Sequence, residues 1–292
     1  MRRSGRGGAK RGASAATPGR SSFAAPSGRG AFAALLTICL ALTLTFLTLP
    51  IVAIFLDSSP ADLIDSLGEP GALDALWLSL RTTATSIAII LLIGTPAAYL
   101  LATRSFRGKA FVVTLVELPL VLPPAVAGIA LLAAVGPSGI LGGTVEAAGI
   151  QLSFATAGVV VALTFVASPF YVRQAMAAFA SVDKVMLDAS RTLGASEARG
   201  FLRVMIPVAL PGLVAGTALA LGRALGEFGA TLMFAGSFEG ITQTVPLAIY
   251  DRFSTEFDAA LALSAVLVAV SAAILLSVKL VHGSEALGGA PR

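Results

Sequence analysis

Three stretches of this sequence hold residues that could do chemistry, and none of them has the pattern of an enzyme's active site. The first, Gly222-Arg223-Ala224-Leu225-Gly226-Glu227-Phe228-Gly229-Ala230-Thr231, sets opposite charges four residues apart inside an apolar run. On one helix that spacing brings both side chains to one face. Ionisable groups at membrane depth turn toward protein or a water-filled cavity, because exposure to lipid is costly. Arg223 and Glu227 therefore have two readings. They line a path for a polar solute, or they form a structural ion pair that ties the fifth apolar segment to the third, near Glu117. The second stretch is 183–207, where Asp188-Ala189-Ser190, Gly194 and Ile206-Pro207 punctuate a polar run. Gly194 permits the positive φ of a helix terminus. Ser196 can cap the next helix with Glu197 in its first turn. Pro207 is expected to disrupt that helix and redirect the chain into an apolar segment. The third is Leu118-Pro119-Leu120-Val121-Leu122-Pro123-Pro124. Prolines at this density in a membrane segment mean a broken or bent helix whose freed carbonyls need protein or water nearby. Such a break serves as a hinge for a two-state motion or stands as a static kink.

Other chemistry is excluded. No Gly-x-x-x-x-Gly-Lys-Ser/Thr run is present to cradle nucleotide phosphates, so the chain does not hydrolyse ATP itself. The single cysteine, Cys39, offers neither a disulfide framework nor zinc-site spacing, and it reads as a small core residue. No metal site is expected.

The elements that must position these residues are membrane spans. The chain is 56% hydrophobic and 12% charged, with a mean hydropathy of +0.89, far from a soluble mixture. Six apolar runs, near 31–56, 76–103, 110–135, 152–172, 207–234 and 259–281, approach or exceed the roughly 20 residues needed to cross a bilayer as a helix. The fold class is thus all-α, a polytopic membrane protein with six transmembrane helices. Residues 1–30 carry seven Lys and Arg without one acid and read as a disordered basic tail. The run that follows is much longer than the roughly 7–15 apolar residues of a secretory signal, so it is taken as an uncleaved first span. Acids dominate 57–74 and 235–258, whereas 104–109, 173–205 and the flank at Lys279 and His282 are basic. Every loop then obeys the positive-inside bias with both termini cytoplasmic. The pI of about 9.6 follows from this topology rather than from nucleic-acid binding. Residues 31–282 form the membrane domain and 283–292 a short cytoplasmic tail. Gly222, Gly226 and Gly229 recur at helical near-neighbour spacings, a smooth face for close helix approach, including to a second copy.

The stretch at Asp188 resembles the cytoplasmic coupling loop of ABC importer permeases: Glu-Ala-Ala, three residues, Gly, nine residues, then Ile-x-Leu-Pro. Here the positions are Asp188-Ala189-Ser190, Gly194 and Val204-Met205-Ile206-Pro207, with both spacings kept and conservative changes at four places. Within that family, Arg223 to Thr231, Leu118 to Pro124 and Thr242-Gln243-Thr244-Val245-Pro246-Leu247-Ala248-Ile249-Tyr250 are similar to the molybdate permease subgroup. The resemblance spans about 76–276 and implies the type I importer (MetI-like) fold in a bacterial cytoplasmic membrane. It also implies partners: two copies of an ATPase subunit that uses ATP and Mg²⁺, an external substrate-binding protein and a second copy of this chain. For an oxyanion, hydroxyl and amide donors are suited to a path, which makes Thr231, Thr242, Gln243 and Thr244 candidate lining residues beside Pro119, Pro123, Pro124, Arg223 and Glu227. Threonine in a membrane helix more often bonds its own backbone. The expected function is import of molybdate, with tungstate as co-substrate, by alternating access. Sulfate or thiosulfate is the alternative cargo. A secondary transporter driven by an ion gradient would explain the spans but would need no docking loop.

Overall fold

The computed structural model describes residues 28–57, 68 and 71–288, and its described elements are helices. Of the expected tail at 1–30, residues 1–27 lie outside the described residues, as do 58–67 and 69–70 of the expected acidic loop at 57–74 and the last residues at 289–292. The chain divides into two units, Met1–Pro50 and Ile51–Arg292. Helix α1, Gly28–Asp57, carries apolar residues on all sides, with Pro50 inside it. Cys39 on this helix is exposed rather than buried as expected. A helix apolar all round can turn any face to lipid, so a small side chain there needs no protein cover.

In the second unit, α2 (Ala72–Thr103), α6 (Thr156–Ala180) and α9 (Ile206–Leu225) make the main core, with α6 packed against both others. Tyr171, Ala175 and Phe179 of α6 pack among Ile90 and Ala98 of α2 and Ala209, Leu213 and Ala220 of α9. Small residues let these backbones approach, as lipid-solvated helices require. Gly94 is one such place, since a Cβ there would lie 3.1 Å from the Tyr171 ring. Threonines such as Thr82, Thr85 and Thr217 bond the carbonyl four residues back, which hides their hydroxyls from apolar surroundings.

Between α2 and α6 lie α3 (Lys109–Val121), α4 (Pro124–Val135) and a short α5 (Gly142–Ala147). After α6 come α7 (Lys184–Thr192), the single turn α8 (Glu197–Gly200) and a π-helical turn at Phe201–Met205 leading into α9. Then follow α10 (Gly229–Ala235), α11 (Val245–Phe253) and α12 (Phe257–Gly288). A second core cluster joins Leu131 of α4, Val166 of α6 and Phe234 of α10, and a third joins Ala72, Val245 and Leu263.

Among the described residues, five helical segments are long and apolar enough to cross a membrane: Phe32–Asp57, Ala72–Thr103, Thr156–Ala180, Glu197–Leu225 and Phe257–Val278. The expected span at 110–135 is instead two helices of 13 and 12 residues, each roughly 18–20 Å long and short of the roughly 30 Å hydrocarbon core. Leu122 and Pro123, both with extended ψ, separate them. Two further boundaries differ from expectation. Helix α6 does not stop at 172 but continues to Ala180, because Arg173-Gln174-Ala175-Met176-Ala177-Ala178 is a run of strong helix formers. The fifth span starts at Glu197 and ends at Leu225, not 207 to 234. Pro207 does not disrupt it. The proline occupies the first positions of α9, and the turn before it widens to π geometry so that the Ile206 N–H reaches the Phe201 carbonyl.

Candidate functional site

Two chain breaks meet inside the molecule. One is Leu122–Pro123, from which Pro124 opens α4; the other is Gly226–Phe228, from which Gly229 opens α10. A Cβ on Gly229 would sit 2.7 Å from Pro124 Cβ, and one on Gly128 would sit 2.6 Å from Met233 Cβ and 2.7 Å from the Ala230 carbonyl. Glycine is required at both places because two backbones touch there. Gly222 faces Leu275 of α12 and Gly226 is exposed, so the three glycines do not form one smooth face.

Glu227 stands in the second break. It lies beyond the end of α9, so Arg223 and Glu227 do not share a helix as expected, yet the chain folds back and the two ion-pair. The Glu227 carboxylate is 1% exposed and the Arg223 side chain 25%. Its Oε1 accepts the Ala230 N–H at 2.6 Å. One buried carboxylate thereby closes onto the last turn of α9 and caps the first turn of α10, where a negative charge also suits the helix dipole. Thr231, on α10, is wholly buried and its hydroxyl has no hydrogen-bond partner.

The other candidate lining residues sit at the neighbouring turn. Thr242 is buried; its Oγ1 accepts the Phe238 N–H at 3.0 Å and donates to the Gly236 carbonyl at 3.2 Å. Gln243 donates to Asp251 Oδ2 at 2.7 Å, and the Ser237 hydroxyl donates to the same oxygen at 2.7 Å. Thr244 is buried with an unpartnered hydroxyl, while the next N–H, of Val245, donates to Ser79 Oγ at 2.8 Å. Pro119 lies inside α3.

The stretch 183–207 forms a helical elbow. Asp183 caps α7 through the Val185 N–H at 2.9 Å. Gly194 ends that helix at φ +81°, and the Ala195 N–H returns to the Ser190 carbonyl at 3.0 Å. Ser196 caps α8 as its sequence position suggested. Ala189 and Ser190 lie on α7, Asp188 pairs with Arg191 at 3.1 Å, and Arg104, from the α2–α3 turn, pairs with Glu197 at 2.8 Å. Leu187 packs inward on the core, whereas Val185, Met186 and Leu193 are exposed. Beside the elbow a cleft of about 460 Å³ opens between Tyr99, Arg104, Lys184, Asp188 and Arg191.

One pair escaped the sequence reading. Glu117 of α3 does not approach Arg223; it faces Arg173 of α6, with Arg173 Nε 3.7 Å from Glu117 Oε1. With the fourth span expected to end at 172, Arg173 falls at the start of a polar loop, whereas the helix continues eight residues further, to Ala180. The signal was the helix-forming composition after Arg173. Among the described residues, no three His, Cys, Asp or Glu side chains gather to hold a metal ion.

Residues 92–283 match the family described as binding-protein-dependent transport system inner membrane component. The chain belongs to that family. This permease is 44% identical over 237 residues to the molybdenum transport system permease protein ModB of Mycobacterium tuberculosis, covering 80% of this chain and 89% of that one. It is 40% identical over 258 residues to a probable molybdenum ABC transporter permease protein of Haloferax volcanii, covering 88% and 91%. Its fold is similar to a chain of a bacterial ABC transporter involved in alginate import, with a TM-score of 0.70 at 17% identity over 88% of this chain and 96% of that one. It is also similar to a chain of the MetNI methionine ABC transporter, with a TM-score of 0.56 at 19% identity over 75% and 96%. The permease fold is therefore all-α and MetI-like. As a permease subunit it is not the ATPase of its system.

Proposed function

We propose that this permease imports molybdate, and tungstate with it, as a homodimer that two ATPase subunits drive and an external binding protein supplies. The observation that carries this reading is the 44% identity to a molybdenum permease over 80% of the chain. The geometry supports it at two places. The elbow at Asp188, Ala189, Ser190, Gly194, Ile206 and Pro207 holds its shape by its own caps while leaving Val185, Met186 and Leu193 exposed, which suits docking in a groove of the ATPase. The paired chain breaks at Pro123–Pro124 and Glu227 put irregular backbone inside the permease, where membrane proteins admit it beside a cavity or a moving part.

In this reading residues 31–282 are the membrane domain and 183–207 the coupling loop. The α3–α4 pair together crosses as a sixth span, and both termini lie in the cytoplasm. ATP binding draws the two coupling loops together and opens the far side; hydrolysis resets the inward-open state. Pro119, Pro123 and Pro124 supply the bend that must change, and Arg223, Glu227, Thr231 and Thr244 line the path. Thr242 and Gln243 hold the adjoining turn through the bonds given above.

Cellular molybdenum, measured by elemental mass spectrometry at low external molybdate, tests the proposal. Deleting the gene is expected to lower accumulation to background, and high external molybdate to restore it. Unchanged molybdenum with lost sulfate or thiosulfate uptake would move the assignment to those anions.

A further inference from the structure

We propose that Arg173 is the guanidinium that receives the oxyanion on the coupling side of its path, and that Glu117 is the counterion it releases to do so. The inference rests on the oxyanion import proposed above and deepens it.

Depth carries the first step. The end of the molecule that holds the elbow is marked by Arg104 and Glu197, by Lys109, whose Nζ donates to the Arg104 carbonyl, and by the end of α6 at Ala180. Measured from Ala180 and Lys109 at 1.5 Å per residue, Arg173 and Glu117 lie roughly 10–12 Å further in. Arg173 lies within a segment long and apolar enough to cross a membrane, and charges inside such a segment are not turned to lipid; they face protein or water.

Exposure carries the second. On α6 the neighbours Tyr171, Val172, Ala175 and Phe179 are buried, so the helix turns Arg173 away from the core, above Ala177 and Ala180 on the same outward stripe. The Arg173 side chain is 70% exposed and Glu117 39%. Helix α3 contributes no buried residue at all. An open, charged surface at this depth fits the wall of a water-filled passage.

Chemistry carries the third. A guanidinium presents a planar fork of donors that matches two oxygens of a tetrahedral oxyanion. Arg223 is not free for this role, since it is engaged with the buried Glu227. Arg104 and Arg191 are engaged with Glu197 and Asp188. The Arg173–Glu117 pair is looser: its nearest approach of 3.7 Å is beyond a hydrogen bond. The carboxylate holds the cation in place between transport events and competes with the anion for it, so the anion is passed on rather than trapped.

A strut between α3 and α6 would use the same two residues, and charge exchange separates the two roles. The test uses the complete transporter, with its ATPase and binding protein, in lipid vesicles, with labelled molybdate uptake and ATP hydrolysis followed together. Arg173→Gln is expected to lower uptake about tenfold or more, the factor given by 1.4 kcal/mol of lost anion stabilisation, while hydrolysis stimulated by the loaded binding protein stays near wild type. The exchanged pair Arg173→Glu with Glu117→Arg, and the doubly neutral Arg173→Gln with Glu117→Gln, are expected to show the same loss. Uptake near wild type in either double variant would overturn the proposal in favour of a strut. Should the exchanged pair fail to assemble, the doubly neutral variant decides alone. A wild-type transporter that moves sulfate but not molybdate would overturn the molybdate reading, and the same comparison would then be made with sulfate. One that moves neither anion would overturn both.

Discussion

Glu227 holds the second chain break through both of its carboxylate oxygens. Its two oxygens answer two needs: Oε1 satisfies the Ala230 N–H at the start of α10, and Oε2 faces the Arg223 guanidinium. These can be separated. Glu227→Ala removes both and leaves a cation three-quarters buried without its partner, which is expected to cost about 3–5 kcal/mol of stability. Glu227→Gln keeps an oxygen that can cap Ala230 and loses only the charge, so its cost should be smaller by about 1 kcal/mol, the worth of one retained hydrogen bond. Thermal unfolding of the purified permease in detergent measures both. Equal losses for the two variants would show that the cap at Ala230 contributes nothing. The sequence made this pair legible as a pair, because a lone Arg and a lone Glu in an apolar run have few other partners. It did not reveal the cap, since that depends on α9 ending at Leu225 before Glu227 is reached.

At the scale of elements, the permease is organised by where its helices stop. Helix α4 and helix α10 are too short to cross a bilayer by themselves, and each begins at a break that the other covers. Gly128 and Gly229 are the contacts that make this possible. A methyl group at Gly128 would press on Met233 Cβ and the Ala230 carbonyl, neither of which can swing aside. Gly128→Ala is therefore expected to cost about 1–3 kcal/mol, the usual range for overpacking. Gly222→Ala, whose Cβ would meet Leu275 at an ordinary 3.9 Å, should be nearly neutral. Unfolding and anion uptake of the two variants, compared side by side, test whether the α4–α10 contact is as tight as these distances imply. The prolines at 119, 123 and 124 announced the first break in the sequence, because proline density is a local signal. The second break was missed: Gly226 and Gly229 looked like a packing face, and glycine marks both a close contact and a helix end. Pro207 misled in the opposite direction, since a π turn absorbed its missing N–H without ending the helix.

At the scale of the whole molecule, the question is how a partner's motion enters this fold. The elbow after α6 is tied to the rest by Leu187, packed on the main core, and by Arg104, which links the α2–α3 turn to Glu197. Its opposite side shows Leu193, at 88% exposure, next to the turn that Gly194 makes. Nothing within the described chain gains from leaving that leucine in water, whereas a partner that covers it would gain roughly 1.5–3 kcal/mol. That gain corresponds to about ten- to a hundredfold in affinity. Leu193→Asp is thus expected to lower copurification of the ATPase subunit by at least about tenfold, because docking would now bury a carboxylate. Membrane insertion and detergent stability should be unaffected, since the side chain touches no core residue. Leu187→Asp should behave differently, lowering stability together with copurification, because that leucine faces inward. If Leu193→Asp retained its ATPase, the docking surface would have to lie elsewhere on the elbow, and Val185 and Met186 would be the next residues to change.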